Sequence, residues 1–356
     1  MKTGVAHLPL HHGKAPRWLF DRMVRLAREI RRCVVEEFGA EELLRRLSDP
    51  YWFQAFGCVL AFDWHSSGVT TTVCGALKEG VRGLERELGV FVCGGKGNAS
   101  RKTPAELERW GQRLAMDTSS MVYASRMSAK VDNTALQDGY QLYHHTFLFN
   151  SHGTWAVVQQ GMSDETKFAR RYHWLSTGVE NFVCEPHEAI CCNATGDVLN
   201  LVAEESGQAR DVTTELACQP TDQLIDELKR VRELSLPAHH PVADESFQWT
   251  RLAQSLAKAR EEHPQDFEQL LSVPGVGPKT IRALCLLSEV VYGAAPSFHD
   301  PVRYSFAHGG KDGHPFPVDR TTYEQSIQVL HHALDRAKVD RSERISAFRR
   351  LSAWLT

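Results

Sequence analysis

Leu271-Ser272-Val273-Pro274-Gly275-Val276-Gly277-Pro278-Lys279-Thr280 reads as a hairpin between two helices. Phe267, Leu270 and Leu271 end a short apolar helix, and Pro274 stops it, since proline lacks an N–H and clashes with the preceding turn. Gly275 and Gly277 bracket one apolar residue, and glycine tolerates the positive-φ corners of a tight turn. Pro278 opens the next helix at its first turn, where a missing N–H costs nothing. Ile281, Leu284, Leu287, Val290 and Val291 give that helix an apolar face. Amides following the two glycines therefore point outward at a helix N-terminus, a geometry that holds a phosphate through free donors and the positive end of the helix dipole. The expected partner is DNA, contacted by Gly275, Val276, Gly277, Lys279 and Thr280.

Outward from this hairpin, the chain beyond about residue 220 reads as all-helical: 222–234, 246–262, 264–272, 278–292, 320–337 and 341–354. A Gly-, His- and Pro-rich segment, 294–318, interrupts the series. A loop of that length in a compact domain is commonly functional or mobile. Upstream, the pattern differs. Arg17 to Val34 reads as a helix with apolar residues at helical spacing and six arginines on its other faces. Those arginines present either a solvated face or a contact for a DNA backbone. The apolar run Phe56–Phe62 has strand length, Thr71–Leu88 reads as a helix, and Val90-Phe91-Val92 reads as a second strand. Thr103-Pro104-Ala105-Glu106 has the capping-box pattern. Tyr140–Phe149, the turn Asn150–Gly153 and Thr154–Gln160 read as a hairpin. The expected architecture is an α/β domain with a mixed sheet over 1–219, followed by an all-α helix-hairpin-helix domain over 220–356. In α/β layers, functional loops lie at the carboxyl ends of strands. That would place the segments at Asp63–Gly68 and Gly94–Asn98 in the working position.

Length, charge and cysteine usage bound the function. The 356 residues carry 41 Lys+Arg against 44 Asp+Glu, a net charge of −3. This is not the basic balance of a protein that coats DNA, so binding would be local. Nine cysteines without a Cys-x-x-Cys pair read as free thiols of a reducing compartment. No run of about eighteen apolar residues is present, so no membrane span is expected. The polar N-terminus lacks an apolar signal core, and a cytoplasmic location follows.

The C-terminal third resembles the helix-hairpin-helix DNA glycosylase superfamily. The resemblance rests on Val273-Pro274-Gly275-Val276-Gly277-Pro278-Lys279-Thr280 and on Pro315-Phe316-Pro317-Val318-Asp319 opening a later helix. It implies a base-excision enzyme in which Lys279 attacks the sugar as a Schiff-base nucleophile and Asp319 supports the developing positive charge. A lysine at a helix N-terminus, partly desolvated, suits that role. Two departures stand against it: Lys279 and Asp319 are forty positions apart, about twice the family's usual spacing, and Arg320, Thr321, Thr322 and Tyr323 do not continue the family's pattern of a histidine or similar residue two positions after the aspartate. The whole chain also resembles an uncharacterised prokaryotic family defined only as a domain of unknown function. Leu8-Pro9-Leu10-His11, Asp63–Gly68 and Gln137–Gln141 carry that likeness.

A second constellation lies in the N-terminal part. Asp63, His65, Asp132, Asp138, His144 and His145 supply carboxylates and imidazoles that, if they converge, would hold Mg²⁺ or Mn²⁺ for phosphodiester hydrolysis. Lys130 and Gln159 would accompany such a site. Three readings therefore stand beside one another: a DNA glycosylase or AP lyase, a metal-dependent DNA nuclease, and a DNA-binding protein without catalysis.

Overall fold

The computed structural model describes residues 15–61, 67–192, 195–231, 248–302 and 320–353. Asp63, His65, Asp319 and most of the 294–318 loop lie outside them. The chain opens with helices α1 (Arg17–Phe38), α2 (Ala40–Ser48), α3 (Pro50–Val59), α4 (Gly68–Val81) and α5 (Glu85–Leu88). Strand β1 (Val90–Lys96) follows, then α6 (Asn98–Arg101), α7 (Thr103–Leu114) and α8 (Ser119–Lys130). A π-helical turn, Val131–Ala135, leads into β2 (Leu136–Gln137), β3 (Gln141–Asn150), β4 (Trp155–Met162), β5 (Ala169–Leu175), β6 (Ala189–Cys191) and β7 (Leu199–Asn200). The remainder is helical: α9 (Gly207–Ala217), α10 (Thr221–Val231), α11 (Trp249–Glu262), α12 (Phe267–Ser272), α13 (Pro278–Val290), α14 (Arg320–Arg336) and α15 (Arg341–Ala353).

The protein is thus mixed α/β. Its main sheet has the order β1-β3-β4-β5-β6, and every described pairing is antiparallel. This corrects the expected mixed sheet, and with it the inference from strand carboxyl ends, which holds for parallel sheets. Both faces of the sheet are covered. Phe91, Phe147, Phe149, Val157, Tyr172 and Trp174 pack toward α8–α13. Val92, Leu148, Ala156, Val158 and Leu175 pack toward α1–α4, α14 and α15. The boundary expected at 219 falls between α9 and α10, whose Leu216, Ala217, Leu224 and Leu228 share one apolar core. The last two helices lie on the opposite side of the sheet, against α1 and α3.

Double coverage explains the chief misreading. Phe56–Phe62 reads as a strand by sequence, yet Pro50–Val59 is helix α3, with Trp52, Phe53, Phe56 and Val59 all buried. A short continuous apolar run has no period to separate a buried helix from a buried strand. The deciding signal lies just upstream. Asp49 accepts from the amides of Tyr51 and Trp52, at 2.8 and 3.3 Å, and Pro50 occupies the first helical position. Asp49→Ala is expected to cost about 1 kcal/mol through loss of this cap, read as a lower urea midpoint with an unchanged slope.

The capping-box pattern resolves differently from expectation. Thr103-Pro104-Ala105-Glu106 opens α7, but no side chain caps it. Glu106 instead accepts from Lys78 Nζ at 2.7 Å and from the Gly94 amide at 2.9 Å, tying α7 to α4 and β1. On α1, Arg22 and Arg25 are 58% and 60% exposed, and several of the arginines tie the helix to its neighbours. Arg22 and Arg25 pair with Glu343 of α15, Arg32 pairs with Glu87, and the buried Arg31 donates to the Leu77 carbonyl at 3.1 Å. The 140–160 hairpin is β3–β4 as read: Asn150 Oδ1 accepts from the amides of His152 and Thr154, at 2.9 and 3.0 Å, and closes the turn.

Candidate functional site

The turn between α12 and α13 is built as its residues dictate. Gly275 sits at φ 99°, in the left-handed region, whereas Gly277 is extended at φ −138°. Only the first glycine therefore meets the positive-φ expectation; the second is the N-cap of α13. Val276 is 1% exposed, and its amide donates to the Val273 carbonyl at 3.2 Å, so it faces inward and not toward a ligand. Carbonyls of the turn are held from below. Ser255 Oγ donates to Gly275 O at 2.8 Å, Lys130 Nζ to Val276 O at 2.6 Å, and Gln137 Nε2 to Pro278 O at 2.9 Å. With its carbonyls turned inward, the turn presents the amides of Gly277 and Lys279 outward, and neither meets an acceptor among the described residues. On this side the turn borders a cleft of about 310 Å³ that also holds Arg251 and Thr280. Lys279 is exposed on the first turn of α13, not half-buried as the Schiff-base reading requires. Burial falls instead on Lys130, whose ammonium is pushed below its ordinary value by desolvation.

The far side of the same turn borders a larger cleft of about 730 Å³. Its lining runs from α6 and α8 to β3, β4 and the start of α13. Arg101, Arg126 and Lys130 are among the lining residues, and no carboxylate is among those described. In a chain of net charge −3 this is a locally cationic basin.

At its floor lies an unbroken polar chain. His145 and Gln159 face each other across β3 and β4. His145 Nδ1 and Gln159 Oε1 are 2.8 Å apart, Gln159 Nε2 donates to Asp132 Oδ2 at 2.5 Å, and His145 Nε2 lies 2.9 Å from Ser125 Oγ. Asp132 also accepts from Trp174 Nε1 at 3.1 Å and meets His187 Nε2 at 2.5 Å. This order fixes the proton positions. Asp132 Oδ2 has only acceptor capacity toward Gln159, so the amide NH₂ faces it and the amide oxygen faces His145. Nδ1 must then carry the hydrogen, leaving the Nε2 lone pair for the Ser125 hydroxyl. Burial lowers His145 to about 4 and raises the Asp132 carboxyl above its usual range.

The expected metal ligands do not converge. Asp132 is saturated by His187, Trp174 and Gln159. Asp138 lies in a separate buried ion pair, accepting from Arg170 Nη1 at 3.0 Å and Tyr172 Oη at 2.6 Å. His144 and His145 sit on opposite faces of β3; His144 Nε2 meets Thr146 Oγ1 at 2.9 Å, on the α4 side. Asp63 and His65 lie outside the described residues. Among the described residues no group of three His, Cys, Asp or Glu side chains is placed to hold an ion. Sequence reasoning singled out Asp132, His145 and Gln159 for a different task and missed Ser125, which stands mid-helix in α8 with no local signature.

Fold and cleft together define a mixed α/β protein, an antiparallel sheet between two helical layers, with a serine–imidazole pair opening on a cationic basin. The chain belongs to the family described as "Protein of unknown function (DUF763)", whose model matches residues 4–318. Neither the curated proteins nor the solved structures yielded a match. None of these comparisons points to the helix-hairpin-helix glycosylases. Among the described residues, no helix is long and apolar enough to cross a membrane.

Proposed function

We propose that the protein is a DNA-processing enzyme that seats a backbone phosphate on the turn opening α13 and acts on the strand in the adjoining basin. The observation that carries this reading is the pair of outward amides at Gly277 and Lys279, at the positive end of a thirteen-residue helix and beside the Lys279 side chain. Backbone donors and a helix dipole hold a phosphate without reading a base. Arg101, Arg126 and Lys130, which line the basin on the other side of the turn, supply cations for further phosphates in this reading. The overall negative charge suits binding at one seat rather than along a broad surface.

Lys279→Glu tests this directly, because the side chain is exposed and its replacement leaves the core intact. Binding of a fluorescent duplex is expected to weaken about tenfold, equally for unrelated sequences, with the salt dependence falling by about one counterion. Unchanged affinity would remove the phosphate seat. The lyase version of this function, carried by Lys279 and Asp319, makes a distinct demand. Borohydride reduction on abasic DNA would have to trap the protein through Lys279, and Lys279→Ala would have to abolish the adduct.

A further inference from the structure

The geometry points to a nucleophilic centre in the basin: Ser125 attacks a phosphodiester, His145 is its general base, and Gln159, held by Asp132, is a positioning residue. The substrate class rests on the DNA-processing reading above; the nucleophile–base pair rests on its own geometry.

Three features support it. First, Ser125 and His145 are in hydrogen-bond contact at 2.9 Å, and both line the basin. A hydroxyl is a weak nucleophile until a base takes its proton at the moment of attack. Second, the imidazole is held in the one tautomer that can take that proton. The Asp132–Gln159–His145 order places the hydrogen on Nδ1 and the lone pair on Nε2, the part an orienting group plays in a nucleophile–base–orienter arrangement. Asp132 is itself fixed by His187 and Trp174, so the orienter has no freedom to turn. Third, Arg101, Arg126 and Lys130 give the basin cations for non-bridging phosphate oxygens, without a described carboxylate to oppose them. Burial keeps the free imidazole neutral, and a docked phosphate anion raises its basicity toward the working range.

The step balances with these groups and water. Ser125 Oγ forms a bond to phosphorus as the P–O bond to one sugar breaks on the opposite side. His145 Nε2, beside Oγ, accepts the serine proton, and the departing sugar oxygen takes a proton from solvent. Water then attacks the phosphoserine diester from the side the sugar left, giving a proton to solvent, and the His145 imidazolium returns its proton to Oγ as the Oγ–P bond breaks, which restores the serine.

The full-length protein is treated with a fluorophosphonate probe and the adduct located by peptide mass spectrometry. An adduct on Ser125 is expected, absent in Ser125→Ala and slowed at least tenfold in Gln159→Leu, with labelling constant from about pH 8 to about pH 6. An exposed imidazole of ordinary value, about 6.5, would already lose its base form over that range. A wild-type protein that carries no label at Ser125 overturns the proposal without reference to any variant's folding. The probe contains no nucleic acid, so the two readings fail separately. A Ser125 adduct in a protein that binds no DNA would overturn the substrate assignment, whereas DNA binding without a Ser125 adduct would overturn the nucleophile.

Discussion

Arg170→Met is expected to destabilise the protein by about 3–5 kcal/mol, the usual result of removing one partner from a buried ion pair. Arg170 projects from β5 and is almost wholly enclosed. Its Nη1 donates to Asp138 at 3.0 Å and its Nη2 to Asp300 at 2.7 Å. Its guanidinium lies 4.6 Å from the Tyr140 ring centroid. Both carboxylates are buried, and the neighbouring acids hold the guanidinium well above its ordinary value. Taking away the cation leaves two carboxyl groups in a medium that solvates neither, so they must protonate or drag water inward. Asp138→Asn is expected to cost less, since Arg170 keeps Asp300. Urea unfolding measures both. A loss below about 1 kcal/mol for Arg170→Met would show that the triad is not a net constraint on the fold.

The second large effect is an early acid limb. Burial lowers His144 to about 3 and His145 to about 4, and it pushes His173 well below its ordinary value. In the unfolded chain all three protonate near about 6.5. Above that pH neither state binds the protons, and the full stability is present. Between about 6.5 and the lowered values the unfolded state binds more protons, so stability falls as pH falls, by up to about 1.4 kcal/mol per pH unit for each imidazole. The raised carboxyls of Asp132 and Asp138 act in the opposite sense, because their folded forms take up protons earlier. They offset part of the loss. The urea midpoint is therefore expected to drop steeply from about pH 6.5 to about pH 5, before ordinary carboxylates titrate. A midpoint flat across that window would contradict the neutral burial of these histidines.

What the sequence made legible was local and short-range. The Pro274–Pro278 segment announced its own turn, and Asn150–Gly153 announced the β3–β4 hairpin. With that turn centred near residue 152, simple counting already places His145 opposite Gln159, and the structure pairs them. Pairings set by tertiary packing left no such mark. Ser125 reaches His145 only because α8 lies across the sheet. Lys130 is drawn under the α12–α13 turn by a contact 146 positions away. Glu106 obeys the capping-box spacing yet is captured by Lys78 and the Gly94 amide. The histidines and aspartates that looked like a metal set were separated by strand alternation, which sends His144 and His145 to opposite faces. Apolar patterning misled at Phe56–Phe62 for a related reason. An element buried on all sides carries no polar stripe from which to read its period.

The most direct measurement of the central claim is amide hydrogen exchange, with and without a saturating short DNA duplex. Slowed exchange at Gly277 and Lys279, where the outward donors open α13, is the predicted result. Duplex that binds while these two amides exchange at their free rate, or a protein that binds no duplex at low salt, would contradict it.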